Sequence, residues 1–129
     1  MEIHHIGYLV KNIDKACEKF KALGFKPESN TCYDPIQKAN IIFLVNGNYK
    51  IELIQPVEKD SPTYNLLKKY GSSPYHICYI CENIEESYNS FREQGFSPIT
   101  DITHAIALEN KKICFMFNNS IGIIELLEI

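Results

Sequence analysis

The strongest constraint on this chain is that its second half repeats its first. A shift of 71 positions lays His5-Ile6-Gly7-Tyr8 over His76-Ile77-Cys78-Tyr79 and Asn12-Ile13 over Asn83-Ile84. It also lays Phe20 over Phe91, Gly24-Phe25 over Gly95-Phe96 and Pro27 over Pro98. Residues 5–27 and 76–98 share 9 identities in 23 pairs, with Asp14/Glu85 and Lys21/Arg92 conservative besides. Further on, Lys50-Ile51-Glu52-Leu53-Ile54 meets Ile123-Ile124-Glu125-Leu126-Leu127, the shift having grown to 73. Register and polarity held over so long a stretch mean two copies of one supersecondary unit.

Each copy has a legible order of elements. Residues 3–10 alternate as a strand, with Ile6, Tyr8 and Val10 on one face and Ile3, His5, Gly7 and Leu9 on the other. Asp14 is expected to cap a helix whose apolar positions Ala16, Phe20 and Leu23 recur at helical spacing, with Gly24 as its stop. In the second copy, Asn83 followed by Glu86 reads as a capping box, and Gly95 is the stop. Three strands should then follow in each copy. The pattern predicts them near 26–33, 39–46 and 49–55, with a tight turn at Asn46-Gly47-Asn48. The second set is predicted near 97–101, 105–117 broken at Glu109-Asn110, and 121–128. Between the copies, Asp60-Ser61-Pro62 reads as a cap and an early-helix proline opening a short helix that ends by Gly71. The expectation is α+β: a single domain over 1–129, with a βαβββ module over 1–55, a linker helix within 56–74, and a second βαβββ module over 75–129.

Composition narrows the function classes. The 129 residues suit one domain, and 45% hydrophobic with 22% charged residues is a globular balance. A net charge of −3 with 13 scattered Lys and Arg predicts no nucleic-acid partner. Apolar runs such as Ile41 to Val45 and Ile113 to Phe117 are too short for a membrane span. The first residues hold no basic stretch leading into an apolar run, so no export signal is read there, and the 5 cysteines are expected as reduced thiols of a cytoplasmic protein.

The repeat singles out two equivalent pairs, His5 with Glu52 and His76 with Glu125. Each histidine opens the first strand of its copy, and each glutamate sits in the last. Two imidazoles and two carboxylates suit a borderline divalent ion, one of Co, Ni, Mn or Zn. Strand alternation puts Gly7 on the His5 face and Cys78 on the His76 face, small neighbours that leave room for a substrate. The glutamates carry the sharper argument. Glu52 and Glu125 lie in runs apolar on both sides, and an ionised carboxylate there is costly unless paired, protonated or bound to a cation. Other groups read as bland. Cys78 and Cys81 face opposite ways on a strand and do not make a dithiol site; His4 points away from the His5 face, toward the surface. His104, Gln37 and Asn40 are weaker candidates for a substrate contact or cavity lining.

These residues resemble the vicinal-oxygen-chelate superfamily, also called the glyoxalase/bleomycin-resistance/dioxygenase superfamily, over essentially the whole chain. The resemblance implies paired βαβββ modules whose curved mixed sheets enclose a metal-binding cavity, with His5, Glu52, His76 and Glu125 as ligands. Within the superfamily the chain is most similar to methylmalonyl-CoA epimerases, through His5-Ile6-Gly7, Gly47 to Leu53, Asp60-Ser61-Pro62 and His76-Ile77-Cys78. Metal-dependent glyoxalase I (lactoylglutathione lyase) is the neighbouring resemblance, and a non-catalytic binding protein of the antibiotic-resistance type is the alternative. Residues 104–107 and 118–120 depart from the epimerase pattern, and Leu9 and Pro56 stand where glyoxalase I holds the glutathione carboxylate. The resemblance implies a small carbonyl or thioester substrate and proton abstraction next to its carbonyl; the symmetric placement of the two glutamates in the repeat then suggests Glu125 as ligand and base and Glu52 as ligand and opposite-face acid. The resemblance also allows a homodimer.

Overall fold

Alternation survives folding from His5 to Leu9. In strand β1 (Ile3–Leu9) His5, Gly7 and Leu9 are buried and Ile6 is exposed, as expected; Ile3, on the His5 face but at the start of the strand, is exposed as well. The computed structural model describes residues 1–129, with ten strands and three α-helices. The chain divides into two units, one of residues 6–74, the other of residues 1–5 with 75–129. Both divisions fall inside strands, the first between His5 and Ile6 of β1. No helix is long and apolar enough to cross a membrane.

In the unit of residues 6–74, β1 leads into α1 (Ile13–Ala22), then β2 (Lys26–Pro27), β3 (Cys32–Asp34), β4 (Ala39–Asn46), β5 (Tyr49–Pro56) and α2 (Tyr64–Tyr70). β5 pairs in parallel with β1, Gly7 opposite Glu52, and antiparallel with β4, Phe43 opposite Glu52. β2 and β3 both pair antiparallel with β4. The α1 stripe, Ile13, Ala16, Cys17 and Phe20, packs on Ile42, Leu44, Ile51 and Leu53. Burying each Leu or Ile of that layer contributes about 1.5–3 kcal/mol.

The unit of residues 1–5 and 75–129 repeats the plan. It contains β6 (Ser73–Cys81) from Tyr75 on, α3 (Ile84–Glu93), β7 (Ser97–Pro98), β8 (Thr103–Ala105), β9 (Lys111–Asn118) and β10 (Gly122–Glu128). β10 pairs in parallel with β6, Cys78 opposite Glu125, and antiparallel with β9, Phe115 opposite Glu125. β7 and β8 pair antiparallel with β9. Ile84 and Phe91 of α3 pack on Cys114, Met116, Ile124 and Leu126. The leading segment joins this unit through the Ile80 amide, which donates to the Glu2 carbonyl at 2.9 Å.

Several expectations are corrected. The α1 cap is Asn12, not Asp14: the extended Asn12 places Oδ1 to accept from the Lys15 amide at 2.9 Å, and Asp14 falls in the first turn, where its charge suits the helix dipole. Asn83 does the same for Glu86 at 3.1 Å. The strand predicted near 26–33 is two short ones, because the polar stretch Glu28-Ser29-Asn30-Thr31 has no apolar face to bury. The stretch near 97–101 is strand only at Ser97–Pro98, after which the Ile99 amide still donates to the Phe115 carbonyl at 2.9 Å. Ile106–Leu108 form a 3-10 turn where strand was expected, while the break expected at Glu109-Asn110 is present, with both residues at positive φ before β9 begins. Asp60-Ser61-Pro62 does not cap α2. The Ser61 hydroxyl donates to the Gln37 carbonyl at 2.6 Å and Asp60 pairs with Lys38, so α2 starts later, after Thr63, without a side-chain cap.

Candidate metal centre

The site begins with what holds its strands in place. In each unit the last strand reaches back to the helix start: Gln55 Oε1 accepts from the Ile13 amide at 2.8 Å, and Glu128 Oε2 accepts from the Ile84 amide at 2.9 Å. These bonds satisfy amides at the helix N-termini that have no partner within the helix. They also tie β5 and β10, which carry Glu52 and Glu125, to their helices. Nothing in the local sequence marks Gln55 and Glu128 for this; their equivalence under the repeat is the signal.

Three of the four singled-out residues meet within one unit. His5 Nε2 lies 3.2 Å from Glu125 Oε2, His76 Nε2 lies 2.9 Å from the same oxygen, and the two Nε2 atoms are 3.2 Å apart. All three residues are buried, Glu125 at 1% exposure, so its carboxylate does not sit at a solvated strand edge. The His76 ring is held edge-to-face between Tyr75, 4.4 Å between centroids, and Phe115, 5.2 Å. Phe115 stands opposite Glu125 in the β9–β10 ladder, so one register sets both the acid and the wall of its partner. Glu52, also buried, is carried by β5 of the other unit, where it faces Gly7 and Phe43 as Glu125 faces Cys78 and Phe115.

Burial by itself pushes the Glu125 carboxyl up, but hydrogen bonds from His5 and His76, with their positive charge when protonated, hold it well below the usual carboxylate range. The carboxylate is therefore ionised although it is buried. Three donors of this kind fit a divalent ion. Bonds of about 2.0–2.1 Å set adjacent ligands of an octahedral ion about 3.0 Å apart. The observed edges of 2.9–3.2 Å match that spacing. Nitrogen and carboxylate oxygen are the donors borderline metals prefer.

The other candidates fall outside this group. His104 lies on β8 with its side chain exposed, and Gln37 and Asn40 are half-buried in and beside the β3–β4 ladder. All five cysteines are free; Cys81 packs in the core beside Cys114, with its thiol donating to the Leu127 carbonyl at 3.5 Å. One residue was misread. His4 is half-buried, not turned away, and its Nδ1 lies 2.8 Å from Nδ1 of His5. Alternation separates the faces of neighbouring residues, but Nδ1 is next to the ring's point of attachment, so two such atoms can meet close to the strand.

The family model of the Glyoxalase/Bleomycin resistance protein/Dioxygenase superfamily matches residues 4–115, most of the chain and three of the four singled-out residues. The chain belongs to this superfamily. Among relatives of this glyoxalase-superfamily protein is the uncharacterized protein YqjC of Bacillus subtilis (strain 168), 31% identical over 117 residues, covering 88% of this chain and 81% of that one. The mitochondrial methylmalonyl-CoA epimerase of Homo sapiens is 24% identical over 121 residues, 93% of this chain and 68% of that one. A variant of Streptomyces coelicolor methylmalonyl-CoA epimerase, solved in complex with 2-nitronate-propionyl-CoA, shares the fold with a TM-score of 0.87 at 21% identity, covering 99% of this chain and 94% of that one. The epimerase fold is thus the fold of this glyoxalase-superfamily chain.

Proposed function

We propose that this protein is a divalent-metal-dependent epimerase or isomerase that moves a proton on the carbon next to a carbonyl, most plainly that of an acyl thioester. The observation that carries the reading is the buried triangle of His5, His76 and Glu125, three metal-type donors facing one another. Glu52 is proposed as the fourth ligand, on its equivalence to Glu125 under the repeat and in ladder register. The ion expected is Co, Ni, Mn or Zn. When bound, it supplies Lewis-acid stabilisation of the negative charge that develops on the carbonyl oxygen.

The proton is assigned to the two glutamates. An ionised carboxylate takes it from the carbon, leaving an enolate, and a carboxylic acid returns one to the opposite face. Glu125, kept ionised by its imidazole neighbours, is in the form a base requires. The buried strand faces exclude water, so the proton is not lost during the step. The thioester reading is supported by the epimerase relatives and by the acyl-CoA analogue in the S. coelicolor complex.

The test is a titration of the purified protein with Co, Ni, Mn and Zn, followed by exchange of the α-proton of methylmalonyl-CoA in D2O. One ion per chain and metal-dependent exchange are expected. Binding without exchange on any thioester would shift the reading to a small-molecule binding protein, and no ion bound would remove the mechanism.

A further inference from the structure

His5 has two ring nitrogens, and each has a defined neighbour. Nε2 faces Glu125 and His76, whereas Nδ1 lies 2.8 Å from Nδ1 of His4. An N···N contact of that length holds one proton between two lone pairs. If Nε2 is to give its lone pair to a cation, the ring proton must sit on Nδ1. His5 then donates from Nδ1 to His4 Nδ1, and a neutral His4 carries its own proton on Nε2. The two rings stand at 81° to each other, and the Nδ1 lone pair of His4 that would accept this proton lies in the plane of its own ring.

We infer that His4 is a positioning residue for the metal site: it accepts the Nδ1 proton of His5 and thereby fixes the tautomer and the ring orientation in which His5 Nε2 can ligate. The inference rests on the metal reading proposed above and adds a residue that the ligand set does not contain. Outer partners of ligating histidines act in this way, and losing one weakens metal binding by about 10–100-fold. A competing arrangement exists, because Cys78 offers its thiol within 4.8 Å of ligand atoms of His4 and His5. An ion seated there would use His4 as a ligand rather than as an acceptor.

The experiment measures Zn and Co affinity by chelator competition for the wild-type protein, His4→Leu, His4→Asn and Cys78→Ala, with nitrogen NMR of the histidine rings in the Zn-loaded protein. Expected is a loss of about 10–100-fold for His4→Leu. His4→Asn, whose Oδ1 can still accept from His5, should recover most of it, and Cys78→Ala should bind as wild type. The spectra should show His5 protonated at Nδ1 and His4 at Nε2. Unchanged affinity in His4→Leu would overturn the proposal, as would failure of His4→Asn to recover binding. A loss in Cys78→Ala equal to that of His4→Leu would place the ion on the thiol side and overturn it too. Failure of the wild-type protein to bind any ion is a separate result, which removes the metal reading itself and this inference with it.

Discussion

His76 and Glu125 meet at 2.9 Å, Nε2 to Oε2, although 49 positions separate them in the chain. The parallel β6–β10 ladder creates the meeting by setting Glu125 opposite Cys78, two residues along from His76 on the same face. A charged acid and a polar ring are thereby buried together, and each removes the cost of burying the other. Replacing Glu125 by Gln keeps the shape and removes the charge. Glu125→Gln should lower divalent-metal affinity at least 10-fold, abolish α-proton exchange, and cost the metal-free protein about 1–3 kcal/mol in urea unfolding. Exchange retained in D2O would rule out its role as base.

The same pairing gives acid sensitivity. Glu125 has a folded pKa below its ordinary value of 4.5, so its contribution is full above the unfolded value and is lost as pH falls through the folded one. The metal-free wild-type protein should therefore lose stability relative to Glu125→Gln as pH drops below about 4.5. Parallel denaturation series of the two proteins between neutral and acid pH check this, and a constant difference would contradict it.

Cys114 is wholly buried, and burial pushes its thiol up to about 12, with Cys81 and Glu125 adding to the effect. In the folded protein near neutral pH it should resist alkylation, while the half-buried Cys32 reacts first. Mass-spectrometric mapping after brief iodoacetamide treatment, native against denatured, reads the order directly.

The helix caps offer a stability test away from the site. Asn12→Ala and Asn83→Ala each remove a side-chain acceptor from a helix N-terminus and should cost about 1 kcal/mol. Asp14→Ala should cost less, since Asp14 contributes only charge in the first turn of α1. Equal losses at Asn12 and Asp14 would contradict the cap assignment.

Much of this molecule is local and so was legible in its residues. Period-two alternation placed His5, Gly7 and Leu9 on one buried face, and helical spacing placed Phe20 and Phe91 against their sheets. The internal repeat singled out His5, His76 and Glu125, which folding brings together. The same repeat pointed to Asn12 as the equivalent of the Asn83 cap, a signal that the stronger charge of Asp14 masked. Other features depend on pairing between distant segments, which no local pattern encodes. Residues 1–5 group with the second half, where the Glu2 carbonyl accepts from the Ile80 amide. Gln55 and Glu128 cap helices far away in sequence, and Ser61 is diverted from capping α2 by a carbonyl 24 residues back. His4 illustrates the limit most clearly. Alternation sends it to the opposite face from His5, and only the ring orientations set by tertiary packing bring the two Nδ1 atoms to 2.8 Å.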